Sequence, residues 1–209
     1  MIKLWMVSKK LPALPISDQE IKWGNYLSGD KKKEYFHSRG YIRKALSSIL
    51  HFKPLDLPLY APPGEPPLLN IEEGGHLGIS HSKDYLLFGY SEFNFGIDLE
   101  RSDREICSQR IIQRFYSDKE IKILDTLNDK DKRAMTLQLW VAKEASIKFQ
   151  KGRLFDDLKS WECNHNFDKI VNNKKNISLY LNVFKFIDWY FSVVSVEKLK
   201  KEDIIICYQ

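Results

Sequence analysis

Phe95-Gly96-Ile97-Asp98-Leu99-Glu100 alternates apolar and acidic residues from its third position, the pattern of a β-strand with one buried face. Because successive side chains of a strand point to opposite faces, Ile97 and Leu99 share one face while Asp98 and Glu100 share the other. Gly96 allows another part of the backbone to approach closely. The sequence therefore predicts a rigid strand that presents two carboxylates side by side.

A second acidic position lies in Trp140-Val141-Ala142-Lys143-Glu144-Ala145-Ser146-Ile147-Lys148. This segment is part of a helix predicted from about residue 131 to residue 149, ahead of Gly152. Trp140, Glu144 and Lys148 are four residues apart, so they share one helix face. That face would offer a third carboxylate and a cation.

Three carboxylates without a histidine or cysteine cluster indicate a hard cation, and magnesium is the one that commonly joins carboxylates to substrate phosphates. Each motif also has an ordinary explanation. Taken alone, Asp98 and Glu100 are more typical of surface carboxylates at a strand end, and Glu144 with Lys148 of a helix-stabilising ion pair. Trp140 alone is more typical of a core anchor, and only the combination of these residues favours a site.

The remaining pattern predicts helices and antiparallel strands in two similar halves, residues 1–100 and 101–209. Helices are predicted at 18–27 and 30–52, and Ser117 and Glu120 form a capping-box pattern that starts another. Three strands, 77–80, 85–90 and 95–99, are expected to form an antiparallel meander. Other strands are predicted at 2–7, 161–167, 177–186, 189–196 and 204–208, with a proline-rich loop at 61–67.

The composition fits a folded protein of 209 residues, with 43% hydrophobic residues and a formal net charge of +5. A basic surface favours anionic partners. Cys107, Cys163 and Cys207 show no disulfide or zinc spacing, so we expect reduced thiols and a cytoplasmic protein. No signal peptide and no apolar stretch of about 20 residues is evident, so no membrane association is expected.

The G-I-D-L-E and W-x-x-K-E-A-x-x-K motifs, in this order, resemble the paired signatures of the 4'-phosphopantetheinyl transferases. The likeness is to the larger, surfactin-synthetase-activating class built from two similar halves. The resemblance implies an α+β fold whose halves are related by a pseudo-twofold axis, each an antiparallel sheet packed with helices. It also implies an active site at the interface of the halves and a monomeric enzyme.

The resemblance also implies roles for the motif residues. Asp98, Glu100 and Glu144 would gather around magnesium, and Glu144 is also a candidate base. Lys148 would lie at the phosphates of coenzyme A, and Lys143 of the same motif is also assigned to coenzyme A binding. The catalytic set is therefore predicted to be Asp98, Glu144 and Lys148.

Further segments of the first half resemble coenzyme A contacts of the family. Gly78-Ile79-Ser80-His81-Ser82 is similar to N-x-S-H-S, with Gly78 in place of asparagine, and predicts Ser80 and His81 at the phosphates. Gly64-Glu65-Pro66 is similar to G-K-P, with Glu65 in place of lysine. On the basic helix, Arg39 or Arg43 would reach the 3'-phosphate, and an ordinary solvated face remains an equal alternative for either arginine.

The expected reaction transfers the 4'-phosphopantetheine arm of coenzyme A to a serine of an acyl, peptidyl or aryl carrier protein and releases 3',5'-ADP. Such carriers serve lipid or secondary-metabolite biosynthesis. Phe115, in a segment similar to R-F-F-S-x-x-E, would lie at the edge of the carrier surface. One alternative is a magnesium-dependent phosphohydrolase acting on a nucleotide or diphosphate. A nucleic-acid-binding module, suggested by the basic helix at 31–44, is the weaker alternative, and no nucleic-acid partner is expected.

Overall fold

The computed structural model describes residues 1–72, 74–152 and 157–209 and has a mixed α+β architecture with antiparallel sheets, as predicted. The helices are α1 Asp18–Gly24, α2 Gly29–Leu50, α3 Gln109–Phe115, α4 Asp118–Asp125 and α5 Asp129–Phe149. The strands are β1 Ile2–Ser8, β2 Leu59–Tyr60, β3 Leu68–Leu69, β4 His76–Ser82, β5 Tyr85–Ser91, β6 Phe95–Arg101, β7 Trp161–Cys163, β8 Lys169–Asn172, β9 Ile177–Phe186, β10 Trp189–Ser195 and β11 Ile204–Tyr208. Among the described residues, no helix combines the length and apolar character that crossing a bilayer requires.

The first of two compact units comprises Met1–Phe93 together with Ile205–Gln209. Its main sheet has the strand order β11-β1-β5-β4, and β5 pairs antiparallel with both β1 and β4. Its apolar core includes Trp5, Ile42 and Phe88, with the Trp5 and Phe88 rings stacked 5.1 Å apart. The long helix α2 contributes to this core through its buried middle turns.

The second unit, Asn94–Ile204, contains the predicted acidic motifs. Its five strands follow the order β6-β10-β9-β8-β7, and α5 packs on β6 and β10. The core beneath α5 includes Leu137, Val141 and Ala145, and these residues belong to the apolar stripe of the helix pattern. The fold therefore rests the helix that carries Glu144 directly on the strand that carries Asp98 and Glu100.

The predicted three-strand meander is wrong at its last step. Strands β4 and β5 form the expected hairpin, but β6 pairs with β10. Both edges of β5 are already occupied by β1 and β4, so no edge remains for β6. The two units therefore divide between Phe93 and Asn94, whereas the predicted halves met at Glu100.

The two long helices carry a matching buried ion pair, which adds structural support to the predicted internal repeat. In the first unit, Arg43 of α2 pairs at 2.7 Å with Glu20, the capping-box glutamate of α1, 23 residues earlier. In the second, Lys143 of α5 pairs at 2.7 Å with Glu120, the capping-box glutamate of α4, at the same spacing. The pseudo-twofold relation itself stays a prediction.

Candidate metal and phosphate site

Asp98, Glu100 and Glu144 form a compact acidic triad in the second unit. One ligand oxygen from each carboxylate lies within 4.8 Å of the other two. The side chains are buried, with exposed fractions of 1%, 7% and 8% for Asp98, Glu100 and Glu144. The structure thus brings together the three carboxylates that the sequence selected.

The backbone around the triad explains why the three groups meet. In the β6–β10 pair, Ser192 lies opposite Asp98, and its hydroxyl donates a 2.7 Å hydrogen bond to the carbonyl of Val141 on α5. Gly96 allows β6 to approach the carbonyl of Ala145 on α5 closely. Strand and helix are therefore held together at the level of the acidic groups.

Cationic side chains contact the triad. Lys148 Nζ lies 2.6 Å from Asp98 Oδ1, so the lysine reaches from the helix to the strand. Arg104 forms an ion pair with Glu100, and its guanidinium carbon lies 5.1 Å from the centre of the Trp140 ring. Trp140 in turn packs edge-on against Phe115, at 5.7 Å between ring centres. Trp140 and Phe115 are thus both core residues, and Trp140 also lies beneath a cation.

Arg104 is absent from the sequence-based prediction. It follows β6 in a turn in which its backbone amide donates to the carbonyl of Arg101 at 3.0 Å. The G-I-D-L-E motif ends before this turn, and no local pattern predicts that the chain folds Arg104 back onto Glu100.

The electrostatics of the triad favour an additional cation. Burial, followed by the negative charge of Asp98, raises the pKa of Glu144 to about 8, although Lys148 and Arg104 act in the opposite direction. A divalent cation would offset the remaining repulsion among the carboxylates. The donor set consists of carboxylate oxygens alone, which suits magnesium better than softer metals.

The raised pKa predicts how stability depends on pH. A carboxyl whose pKa is higher in the folded state adds stability below its unfolded pKa of 4.5, and that contribution is lost as the pH rises through about 8. Without metal, thermal stability should therefore decline across this range, and Glu144→Gln should reduce the decline. Magnesium binds the ionised form, so the rise in melting temperature that it causes should be larger at about pH 8.5 than at about pH 6. Equal rises at both pH values would contradict this prediction.

In the first unit, Arg39 and His81 line one small pocket of about 220 Å³. Arg39 is buried over the Tyr35 ring at 4.4 Å and donates to the carbonyl of Ala61 at 3.1 Å. Lys31, which the sequence analysis did not select, lines the same pocket. Ser80 is buried on the neighbouring β4 strand and is not among the residues that line it.

Arg43 and Lys143 occupy structural positions instead. Besides Glu20, Arg43 bonds the carbonyls of Pro54 and Leu57, both at 2.9 Å. Lys143 is fully buried and donates to the carbonyls of Leu158 and Trp161 besides its ion pair with Glu120. Of the two arginines left open by the sequence, Arg39 is the one that lines a pocket.

The sequence profile of the 4'-phosphopantetheinyl transferase superfamily matches residues 94–208, more than half of the chain, including the whole acidic site. The chain belongs to this superfamily. A putative 4'-phosphopantetheinyl transferase of Synechocystis sp. is 28% identical over 155 residues, which are 70% of this chain and 63% of that protein. The 4'-phosphopantetheinyl transferase HetI of Nostoc sp. is 26% identical over 142 residues, 66% of this chain and 60% of HetI. The match thus spans about three fifths of the length of either relative.

Solved structures that show a partial likeness include two holo-(acyl-carrier-protein) synthases. A holo-(acyl-carrier-protein) synthase from Bacillus anthracis, in complex with CoA (3',5'-ADP), has a TM-score of 0.42 and 15% identity, covering 48% of this chain and 92% of that one. The holo-[acyl-carrier-protein] synthase of Thermotoga maritima has a TM-score of 0.37 and 17% identity, covering 51% of this chain and 64% of that one.

Proposed function

We propose that this chain transfers the 4'-phosphopantetheine arm of coenzyme A to a serine of an apo acyl, peptidyl or aryl carrier protein. The observation that carries the proposal is the buried triad of Asp98, Glu100 and Glu144 with Lys148 at its edge. Membership of the superfamily and the names of both relatives support the same reaction.

The three carboxylates would hold magnesium, which when bound neutralises charge on the diphosphate of coenzyme A. In the reaction, the serine oxygen bonds to the phosphorus nearer the pantetheine, and the bond from that phosphorus to the bridging oxygen breaks. The products are the phosphopantetheinylated serine and 3',5'-ADP. Phosphoryl transfer of this kind requires mainly positioning and charge neutralisation, which the triad and Lys148 could supply.

Two side chains have direct tasks in this scheme. Lys148 is partly exposed, so its ammonium group can contact a phosphate oxygen while staying near Asp98. Glu144 is the candidate acceptor of the serine proton, because its carboxylate belongs to the triad beside which the diphosphate would bind.

We further propose that the pocket of the first unit binds the 3'-phosphate of coenzyme A. Lys31, Arg39 and His81 supply donors there, and Glu34 is the acidic residue among its lining groups. A donor that lacks this phosphate, dephospho-coenzyme A, should then have a higher KM than coenzyme A. Lys31→Ala should raise the KM of coenzyme A but not that of dephospho-coenzyme A, so the two KM values should become more similar.

The decisive experiment is intact-protein mass spectrometry of an apo acyl carrier protein incubated with this chain, coenzyme A and magnesium. We expect a mass increase of one phosphopantetheine arm, which EDTA abolishes. Peptidyl and aryl carriers should be included, because the proposal covers all three classes of acceptor. Absence of the increase on every carrier would refute the proposal, and cleavage of coenzyme A without any carrier would favour the phosphohydrolase alternative.

A further inference from the structure

The candidate metal site already contains a cation supplied by the chain. Arg104 pairs with Glu100, one of the three carboxylates of the triad. The Glu100 side chain is almost entirely buried, whereas 39% of the Arg104 side chain is exposed. A guanidinium and a magnesium ion both require the carboxylate oxygens, so the two cations compete for Glu100.

Arg104 can leave Glu100 when magnesium takes its place. The Arg104 side chain is partly exposed, so its guanidinium can turn to water, while the incoming cation keeps the buried Glu100 carboxylate paired. The Trp140 ring, 5.1 Å from the guanidinium carbon, offers a cation–π contact that keeps the head group close to the site after release. The turn after β6 fixes the Arg104 backbone, so a released side chain stays within reach of the triad.

We propose that Arg104 holds Glu100 until magnesium binds and then contacts a phosphate of coenzyme A. The inference rests on the proposed function, because it takes the triad as the magnesium site. Arg104 would weaken the binding of magnesium alone. It would strengthen the binding of magnesium and coenzyme A together, since release from Glu100 frees the guanidinium for an anion.

The chain offers a matched control. Arg101 lies three residues earlier and pairs with Asp103 at 3.3 Å. Arg101→Gln removes the same charge as Arg104→Gln from nearly the same region. A general change in surface potential would affect both variants equally, whereas competition for Glu100 affects only one.

The test is calorimetric titration of magnesium into the wild type, Arg104→Gln and Arg101→Gln, with and without coenzyme A. We expect Arg104→Gln to bind magnesium alone about tenfold more tightly than the wild type. The factor by which coenzyme A increases the magnesium affinity should be about tenfold smaller in this variant. Arg101→Gln should stay within about twofold of the wild type in both respects. Arg104→Lys keeps the charge but loses the two parallel N–H donors of the guanidinium. Its magnesium affinity and its coupling to coenzyme A should therefore lie between those of the wild type and Arg104→Gln.

The outcomes separate the inference from its premise. If the wild type binds magnesium but Arg104→Gln binds it equally or more weakly, Arg104 does not compete for Glu100 and the inference is wrong. If Arg104→Gln tightens magnesium binding but keeps the full coupling, the phosphate contact is refuted. If the wild type binds no magnesium with or without coenzyme A, the proposed magnesium site itself fails, and the inference fails with it.

Discussion

Asp98→Asn is expected to lower the rate of phosphopantetheine transfer by at least roughly a hundredfold while the chain stays folded. Asp98 is the most deeply buried carboxylate of the triad and the partner of Lys148 at 2.6 Å. The amide keeps its shape but removes the charge that holds both the metal and the lysine. Folding should survive, because Lys148 is partly exposed and the repulsion between Asp98 and Glu144 disappears. Initial rates from carrier-protein mass spectrometry and circular dichroism provide the measurements.

Asp103→Asn is the matched control for this variant. It removes the same charge from the turn that follows β6, where Asp103 is half-exposed and pairs with Arg101. Its transfer rate should stay within about twofold of the wild type, as for most exposed ion pairs. Near-normal transfer by Asp98→Asn, or its loss of structure, would contradict the role given to Asp98.

Local signals predicted α1, α2 and α5 and the start of α4. The Ser117–Glu120 capping box is present, and α5 ends at Phe149, as the pattern ahead of Gly152 predicted. Strand β8, Lys169–Asn172, was missed because it is short and lies in an Asn- and Lys-rich segment that resembles a turn. The partner of β6 could not be predicted from local patterns either, since the pairing of β6 with β10 joins residues 88 to 100 positions apart.

The acidic triad could be predicted because strand and helix periodicity place its members on defined faces. The same reasoning could not separate structural cations from those at the candidate site. Arg43 and Lys143 resemble available surface cations in sequence, yet each is buried by pairing with a capping-box glutamate 23 residues earlier. Arg104 shows the reverse case, because a turn brings an unremarkable surface arginine onto Glu100. Tertiary contacts decide which cations are buried in structural ion pairs and which remain available to a ligand, and no local sequence pattern contains those contacts.

Gly96→Ala is expected to destabilise the second unit by about 3 kcal/mol or more, because the new methyl group has no space. A Cβ at residue 96 would lie 2.0 Å from the carbonyl oxygen of Ala145 and 2.8 Å from the backbone nitrogen of Phe149. Both neighbouring atoms belong to the helix backbone, so the clash is relieved only if α5 moves away from β6, which also separates Glu144 from Asp98.

Gly152→Ala is the control, because the nearest neighbours of its Cβ would lie 3.6 Å away. We expect its free energy of unfolding to change by no more than about 0.5 kcal/mol. Denaturant unfolding measures both variants, and equal midpoints would show that close packing of β6 on α5 does not hold the acidic site together.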